Sequence, residues 1–442
     1  MWFGWTLCLP VLWSFLHLTS SALVNDVYKE PEKLLLNNLT VDVSVSLLER
    51  RGKSSKTTLL RTSNDLGQIL HSLRKNDQDI EVTVLGLHQP LILYLQKSTS
   101  LIVKGLVRKY FSPVTGRPVI SRKDDMSLAN CYYTGKVVGP LVNESFVSLD
   151  LCRGVHGIIE TSEQEYEISS IQHDSKFTHF LSQRNYEEDD VPHKCGTDDE
   201  EIIPLPRYGE QTSHKRFKRD IKLPAGSTMQ TRYIEIYAVA DFSLFKSVGS
   251  VEAAETRVIN IMNYASGLYR QLNIYLALVG IEVWNTGDQI SYEQVSQDSR
   301  GIDSGKLLTQ FNRYRHFRIN FEMPNDNGQL FTAQVFHGGL IGKGSTRGIC
   351  TQTDSGGVTF DGSTRRYARA ATTMAHELGH NLGLTHSDSD VYYGKKCECP
   401  ADNDPTFTDC IMHSSANRKS NLRFCAWVVA RERSAVTSNV RK

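Results

Sequence analysis

Three histidines near the end of the chain have a spacing that can build a zinc site. The stretch Thr373–His386 reads TMAHELGHNLGLTH and contains His376, His380 and His386. Residues four apart project from one face of a helix, so the first two imidazoles can reach one zinc ion. A turn of the chain after the helix can bring in the third. The alternative is a helix that carries histidines without binding a metal.

Two further residues of this stretch favour catalysis. Glu377 follows the first histidine and can lie beside the metal without binding it. Gly383 can take a positive φ, end the helix and turn the chain back. Three protein ligands leave a fourth position for water, whereas a structural zinc usually has four protein ligands. Glu377 would take a proton from the zinc-bound water and pass it to the leaving amine of a peptide bond.

The bulk composition is that of an ordinary globular chain. Its 442 residues predict two or three domains, each with its own core. A formal net charge of +1 gives no reason to expect a nucleic-acid partner. The organisation of the chain must therefore be inferred from local patterns.

The first residues read as a secretory signal peptide. An apolar run from Trp2 to Leu18 is followed by small residues at Ser20 and Ala22. A membrane anchor is the alternative, but the run is short. No other stretch approaches the roughly 20 apolar residues of a spanning helix, so we expect a secreted product without a transmembrane segment. Two sequons, at Asn38 and Asn143, fit a glycoprotein.

The elements that must position the histidines follow two patterns. Up to about residue 190 the chain is β-rich, with the strand-like runs VDVSVSLL, DIEVTVLGL, PLILYLQ and SLIVKGLV. The later part alternates strands and helices, which predicts an α/β domain. Its expected strands are YIEIYAVA, IYLALVGIEVW, HFRINF and QLFTAQVF; its expected helices cover 251–272, a stretch to about 314, and YARAATTMAHELGHNL.

A basic tetrapeptide lies at the boundary between these parts. Arg216, Lys218 and Arg219 give the R-x-K-R form that proprotein convertases of the secretory pathway cleave. The alternative is a solvated basic loop. Cleavage after Arg219 would define three regions: a signal peptide at 1–22, a prodomain at 23–219 and a zinc metalloprotease domain at 220–442.

The extended histidine motif, followed by Cys410-Ile411-Met412, resembles that of the metzincin peptidases. RYIEIYAVAD, LNIYLALVGIEVW, DNGQLFTAQVF and TMAHELGHNLGL resemble the adamalysin (reprolysin, ADAM) branch, as do CYYTGKVV and LCRGVHG. The resemblance implies a β-rich prodomain followed by a metzincin-type catalytic domain, with a central mixed twisted sheet and a zinc-binding active-site helix. It also implies that Met412 forms the turn under the metal; the alternative is a core methionine.

The segment PHKCGTD resembles the cysteine switch of this family. Cys195 would bind the zinc as a thiolate in the latent form. The alternative is a disulfide. Because Cys131 and Cys152 can pair with each other, Cys195 is left over, and this parity favours the switch.

The other cysteines only partly follow the family pattern. The resemblance implies that Cys399 pairs with Cys410 and that Cys397 pairs with Cys425. The partner of Cys350 would lie near residue 441, where the sequence has no cysteine. The tail AWVVARERSAVTSNVRK does not resemble the closing helix of the family, which predicts a truncated or alternatively ended chain.

The resemblance also implies a calcium site that uses Glu235 and Asp326. The alternative for each is a structural carboxylate. The cofactors expected from the sequence are therefore one catalytic zinc ion and, through the resemblance, calcium.

These patterns together predict a secreted, zymogenic zinc endopeptidase. A proprotein convertase would activate it. Its substrates would be extracellular proteins or peptides, bound extended along an edge strand near GGLIGKG. The alternative is a catalytically impaired isoform or a decoy that binds partners through its prodomain. A structural zinc module is disfavoured because it would usually have a fourth protein ligand.

Overall fold

The computed structural model describes about half of the N-terminal half of the chain, which ends at Arg219, and most of the C-terminal half. The described residues are 38–48, 57–60, 79–123, 131–139, 145–161, 164–173, 176–183, 193–197, 231–291, 301–362, 367–387, 410–416 and 424. The signal-like segment 1–22, the basic tetrapeptide 216–219, and Cys397, Cys399 and Cys425 lie outside them. Among the described residues no helix is long and apolar enough to cross a membrane.

The described part of the N-terminal half consists of strands. They are β1 (Asn38–Leu48), β2 (Thr57–Leu60), β3 (Ile80–Leu85), β4 (Leu91–Lys97), β5 (Ile102–Phe111), β6 (Pro118–Lys123), β7 (Tyr132–Val138), β8 (Ser145–Asp150), β9 (His156–Thr161), β10 (Glu165–His173), β11 (Lys176–Gln183) and β12 (His193–Cys195).

Eight of these strands close into an antiparallel barrel. The order β1-β3-β4-β7-β8-β9-β10-β11 returns to β1, because residues 38–41 pair with residues 179–182. In β3, the sequence IEVTVL places buried residues at every second position, as expected for a strand with one face on a core. The expectation of a β-rich N-terminal region is confirmed, and closure leaves few free strand edges.

The C-terminal half alternates strands and helices. Its elements are β13 (Arg232–Ala240), α1 (Phe242–Val248), α2 (Val251–Tyr269), β14 (Ile274–Val283), α3 (Ser304–Tyr314), α4 (Asn320–Glu322), β15 (Asn327–Thr332), β16 (Leu340–Gly344), β17 (Gly356–Phe360), α5 (Tyr367–Asn381) and β18 (Ser415–Ala416).

A mixed sheet forms the centre of this half. Strands β14, β13, β15 and β17 are mutually parallel, whereas β16 runs antiparallel to β17. The last five residues of β13 are all buried. This continuous apolar run is typical of a parallel strand covered on both faces. The mixed sheet expected from the sequence is thus confirmed.

One expected strand is wrong. The run HFRINF forms a π-helical turn at Arg315–Ile319 that continues into α4. Its apolar residues alternate as in a strand, but only Ile319 is buried, while Phe317 and Phe321 are 67% and 91% exposed. The helical course buries Arg315, whose guanidinium donates hydrogen bonds to the Asn325 side chain and to carbonyls of the loop at 351–352.

The long helix α2 joins the two halves. Ser250 caps its first turn by accepting a hydrogen bond from the Ala253 amide. In its middle, the buried Asn263 donates to the Tyr133 carbonyl and the Ser148 hydroxyl, and accepts from the Ser98 hydroxyl. A buried amide that satisfies three groups of the other half fixes the register between the halves.

Strands of the N-terminal half also join the sheet of the C-terminal half: β5 and β6 extend one end, and β12 is inserted between β16 and β18 near the other. Strand β5, with β6 behind it, pairs parallel to β14, and β12 pairs parallel to β16. The full order is β18-β12-β16-β17-β15-β13-β14-β5-β6. This shared sheet was not foreseen from the sequence, because its strand pairs are separated by long stretches of chain.

A glycine in α2 packs closely against the barrel. A Cβ atom at Gly267 would lie 2.6 Å from Cζ of Phe146 and 3.0 Å from Cγ2 of Thr134. Alanine in a helix interior is normally more stable than glycine by about 0.5–1 kcal/mol. Here we expect the opposite sign, because Gly267→Ala overpacks the interface and should destabilise the uncleaved chain by about 1–3 kcal/mol. Urea unfolding measures this change.

The partner variant Phe146→Leu controls for other effects of the alanine. If the contact is the cause, Gly267→Ala should cost less in the Phe146→Leu background than in the original chain. Equal costs in both backgrounds would contradict the proposed collision.

Candidate metal and active site

Helix α5 carries His376, Glu377 and His380 on a buried face. Their exposed fractions are 6%, 1% and 0%. The helix packs against α2, where the Tyr269 hydroxyl donates a 2.6 Å hydrogen bond to the Ala375 carbonyl. The four-residue spacing brings the two imidazoles edge to face, with ring centroids 4.7 Å apart.

The turn after α5 brings His386 back to these rings. Gly383 has φ +94°, and its amide bonds to the His380 carbonyl, while the Leu384 amide bonds to the Gly379 carbonyl. This left-handed closing residue favours glycine, because a Cβ atom would be strained there. The His386 ring then lies 5.3 Å from that of His376 and 4.7 Å from that of His380.

Hydrogen bonds to carbonyls orient two of the imidazoles. Nδ1 of His376 lies 2.6 Å from the Ile411 carbonyl, and Nδ1 of His380 lies 2.9 Å from the Leu384 carbonyl. Because a carbonyl only accepts, each Nδ1 must carry the proton, which leaves each Nε2 with a lone pair. The two Nε2 atoms are 3.0 Å apart. Two facing lone pairs at this distance repel each other unless a proton or a metal ion lies between them, and a set of imidazole nitrogens is a donor set that fits zinc.

Cys195 lies at the same point. Its Sγ is 3.5 Å from Nε2 of His380, and the ligand atoms of this cysteine and of the three histidines all lie within 4.8 Å of one another. Burial raises the pKa of the Cys195 thiol well above its usual range, and the neighbouring Glu377 raises it further. A thiolate at this position therefore needs a bound cation to stabilise it.

Glu377 points toward the cysteine segment and strand β16. One carboxylate oxygen accepts from the Cys195 thiol at 3.4 Å, and the other lies 3.3 Å from the Thr197 hydroxyl. A Cβ atom at Gly342 would be 2.5 Å from this carboxylate, so the glycine permits the close approach. Burial raises the pKa of Glu377 to about 7, although the hydrogen bond from Cys195 and the charge of His386 oppose that rise. A pKa near neutrality suits a general base.

Met412 lies beneath the histidine helix. It is fully buried, and a Cβ atom at Gly379 would lie 2.4 Å from its sulfur. The Met412 carbonyl accepts a hydrogen bond from the Ser387 amide at 2.7 Å. The neighbouring carbonyl, that of Ile411, accepts from His376. This turn therefore supports the histidines from below, and its sulfur packs on the helix.

The segment around Cys195 fills a cleft between two strands. Lys194 pairs with Leu340 of β16 on one side and with Ser415 of β18 on the other. The Gly196 amide donates to the Gly342 carbonyl at 2.9 Å, and the Cys195 amide donates to the Ser414 carbonyl at 3.0 Å. The edge near GGLIGKG that was expected to hold an extended peptide is thus occupied by a strand of the same chain.

Thr197 is a site residue that sequence reasoning missed. Besides its contact with Glu377, its hydroxyl accepts from the Gly344 amide at 3.1 Å, and its own amide donates to the Cys195 sulfur at 3.3 Å. It lies two residues after the cysteine, inside PHKCGTD. Its hydroxyl contacts residues 147 and 180 positions away in the sequence, so no local pattern signals its role.

The remaining predicted residues are partly located. The structure joins Cys131 to Cys152 in a disulfide, and Cys410 is disulfide-bonded as well. Cys350 lies near Asp326, with Sγ 3.6 Å from the carboxylate.

The carboxylates expected to bind calcium lie in neighbouring strands and loops. The Glu235 amide donates to the Asp326 carboxylate at 3.0 Å, and the Asp326 amide donates back to the Glu235 carbonyl. Burial raises the pKa of Glu235, and the nearby Asp326 raises it further. Calcium takes six to eight oxygen ligands, of which this pair supplies a minority. The calcium site therefore stays a prediction.

A mixed sheet beneath a helix with a His-Glu-x-x-His face, and a third histidine after a glycine turn, defines a metzincin-type zinc metalloprotease domain. Residues 232–436 match the family model described as "Reprolysin (M12B) family zinc metalloprotease". The chain belongs to this reprolysin family, the adamalysin or ADAM branch to which its motifs point.

Curated relatives resemble the chain over most of its length. It is 31% identical to the human disintegrin and metalloproteinase domain-containing protein 19, over 72% of this chain and 31% of the relative. It is 28% identical to the human disintegrin and metalloproteinase domain-containing protein 9, over 76% of this chain and 38% of the relative. It is 29% identical to the mouse disintegrin and metalloproteinase domain-containing protein 12, over 84% of this chain and 39% of the relative. The chain therefore spans between about a third and two fifths of these relatives.

Proposed function

We propose that this chain is the latent form of a secreted, zinc-dependent endopeptidase that hydrolyses extracellular proteins. The observation that carries the proposal is the convergence of three buried imidazoles beside a buried carboxylate that is not one of the ligands. His376, His380 and His386 would hold one zinc ion. The signal-like first residues and the disulfide of Cys131 support secretion.

The chemistry that a bound zinc ion supplies is polarisation of the scissile carbonyl and acidification of a water molecule. Glu377 is placed to accept a proton from that water and to deliver it to the leaving amine. Its fixed position against Gly342 holds the carboxylate on the side of strand β16. No described serine, threonine or cysteine is needed as a nucleophile in this scheme.

The substrate would lie in the cleft now filled by β12. Strand β16 offers backbone groups on one side and β18 offers them on the other, as their pairing with Lys194 demonstrates. Main-chain pairing binds an extended peptide with little regard to its sequence, while side-chain pockets select among peptides.

Latency would follow from the same cleft. Cys195 would take the fourth position on the zinc, and the Thr197 hydroxyl donates a hydrogen bond to the Glu377 carboxylate. A water molecule or a peptide would then be kept from the zinc and from Glu377. Cleavage after Arg219 by a proprotein convertase would then allow the N-terminal half to leave. The complete metal site and base favour this enzyme over a decoy that only binds partners.

Removal of zinc provides the direct test. The chain should be produced whole, processed after Arg219, freed of its N-terminal half and assayed on a library of quenched peptides. Treatment with a strong chelator is expected to reduce cleavage to background, because the imidazoles alone cannot activate water. Adding one equivalent of Zn²⁺ should restore the rate, with metal content measured in parallel.

Magnesium and calcium serve as matched controls for that restoration. They prefer oxygen ligands and should not restore cleavage at the same concentration. Cleavage that persists in folded protein proven free of zinc would exclude the proposed function.

A further inference from the structure

The edge of strand β14 binds strand β5 of the N-terminal half through main-chain pairing and side-chain contacts. Gly280 pairs with Val107, Ile281 with Arg108, and Glu282 with Lys109, all in parallel register. The Leu278 amide donates to the Leu101 carbonyl at 2.7 Å. Such main-chain pairing at a sheet edge is a known mode of peptide recognition.

Two adjacent cations of this strand are recognised on opposite faces of the sheet. Arg108 makes a forked ion pair with Glu255 of α2, with Nε 2.8 Å from one oxygen. Lys109, only 4% exposed, bonds to both oxygens of Glu322, at 2.8 and 3.0 Å. Successive side chains of a strand point to opposite faces, so one acidic group on each face selects a pair of consecutive basic residues.

A second carboxylate, that of Glu282, lies near the same lysine. Glu282 is fully buried and lies 3.6 Å from the Lys109 ammonium. It accepts hydrogen bonds from the hydroxyls of Tyr237 and Tyr314 and from the Trp284 indole. These donors all belong to the C-terminal half, so the carboxylate keeps its position whether or not the lysine is present.

The end of the docked strand is fixed through its backbone. The Asn285 side chain accepts from the Phe111 amide at 2.7 Å and donates to the Phe111 carbonyl at 2.8 Å. The Phe111 ring packs in the apolar cluster that contains Trp284 and Tyr237. The pattern recognised is therefore apolar, basic, basic, any residue and aromatic, as in Val107–Phe111.

All the residues that recognise this strand lie after Arg219, and the strand itself lies before it. Once the chain is cut there, the hairpin of β5 and β6 is held only by non-covalent contacts and can exchange. The vacated edge keeps its unpaired backbone groups and its acidic residues, which makes it a template for another strand.

We propose that, in the processed protein, this edge is a second docking site for protein substrates that present an extended strand with two adjacent basic residues. The role of this site in catalysis rests on the proposed function, but the binding of a strand to it does not. Six strand spacings separate β12 from β5 in the sheet order, or about 30 Å. Only a substrate longer than a short peptide can reach both this site and the zinc site.

Binding of a synthetic hairpin tests the site without reference to activity. A labelled peptide of residues 100–123 should bind the processed protein freed of its N-terminal half, as followed by fluorescence anisotropy. Reversal of the recognised charges, R108E with K109E, should weaken binding at least about tenfold. The matched control, K104E with R122E, changes the same net charge at exposed positions and should bind within about twofold of the original.

Variants of the protein must give the same result. Glu255→Gln with Glu322→Gln should reproduce the loss, whereas Asp354→Asn, an exposed change of the same chemistry away from this edge, should not. Equal binding of the original and charge-reversed hairpins, or an equal loss with the control hairpin, would overturn the proposal.

A tethered substrate tests its use in catalysis. A quenched cleavable peptide joined to the hairpin by a flexible linker of about 30 residues can span the two sites. We expect KM to fall at least about tenfold relative to the same substrate with the charge-reversed hairpin, with kcat unchanged. Equal KM values would overturn the docking role. Failure to cleave the short peptide alone would instead count against the proposed function, because the anisotropy result does not depend on it.

An exchange of charges between Arg108 and Glu255 tests the same recognition in the processed protein while both halves are still bound to each other. This test applies even if the C-terminal half does not stay folded alone. Arg108→Glu should accelerate dissociation of the N-terminal half, and adding Glu255→Arg should restore slow dissociation. Absence of this rescue would overturn the proposed recognition.

Discussion

Replacing Glu377 with glutamine is expected to lower kcat/KM of the processed protein by about 10²- to 10⁴-fold. The amide has the size of the carboxylate but cannot accept a proton from water. In the latent chain it can still accept the hydrogen bond from Thr197, and its neighbours Gly342 and Gly344 leave room for it, so the variant should fold and be processed as the original does. Cleavage of quenched peptides measures the loss, and zinc content should remain at one ion per chain.

The retained zinc distinguishes loss of a base from loss of a metal ligand. Glu252→Gln, an exposed change of the same chemistry on helix α2, should leave the rate within about twofold. A Glu377→Gln protein with full zinc and undiminished cleavage would show that another group performs the proton transfer. A protein that loses zinc together with activity would place the glutamate among the ligands.

The histidine spacing was informative because the site is largely local. His376, Glu377 and His380 lie on one helical face, and the turn at Gly383 depends on a single residue with positive φ. Short-range geometry of this kind is specified by the order of residues in the chain. The structure therefore brings together the residues that the sequence had grouped.

Contacts between distant segments were not predictable in the same way. Nothing in the sequence around Arg108 indicates that its partner is Glu255, which lies 147 residues later. The run HFRINF shows the related difficulty for a local pattern. Its alternation predicts a strand, but burial of the Arg315 guanidinium among carbonyls favours a helical course instead. Tertiary contacts override weak local preferences.

Thr197 shows how a neighbouring residue can remain unnoticed inside a recognised motif. The cysteine drew attention because a thiolate binds zinc, whereas a threonine has no such specific chemistry. Only the pairing of β12 with β16 brings its hydroxyl to Glu377 and Gly344. Its role depends on the fold of both halves, and this makes it testable together with the cysteine.

Replacing Cys195 with serine in an uncleavable chain is expected to raise peptide cleavage above the latent baseline, but to leave it well below that of the processed protein. The Arg219→Ala background prevents processing, so that latency alone is measured. A serine hydroxyl is a poor zinc ligand, since zinc prefers thiolate or imidazole. The blocking strand remains, however, because Lys194 still pairs with β16 and β18 and Thr197 still contacts Glu377.

The addition of Thr197→Ala to Cys195→Ser should therefore raise cleavage further, by more than the two single variants predict together. Both residues restrain the same carboxylate, at 3.4 and 3.3 Å, so their effects should be coupled rather than additive. Cys350→Ser, a cysteine change at a site near Asp326, should leave the chain latent. If Cys195→Ser alone gave the full activity of the processed protein, the strand pairing would contribute nothing to latency. If it gave none, the block would be due to the strand, with the thiol dispensable.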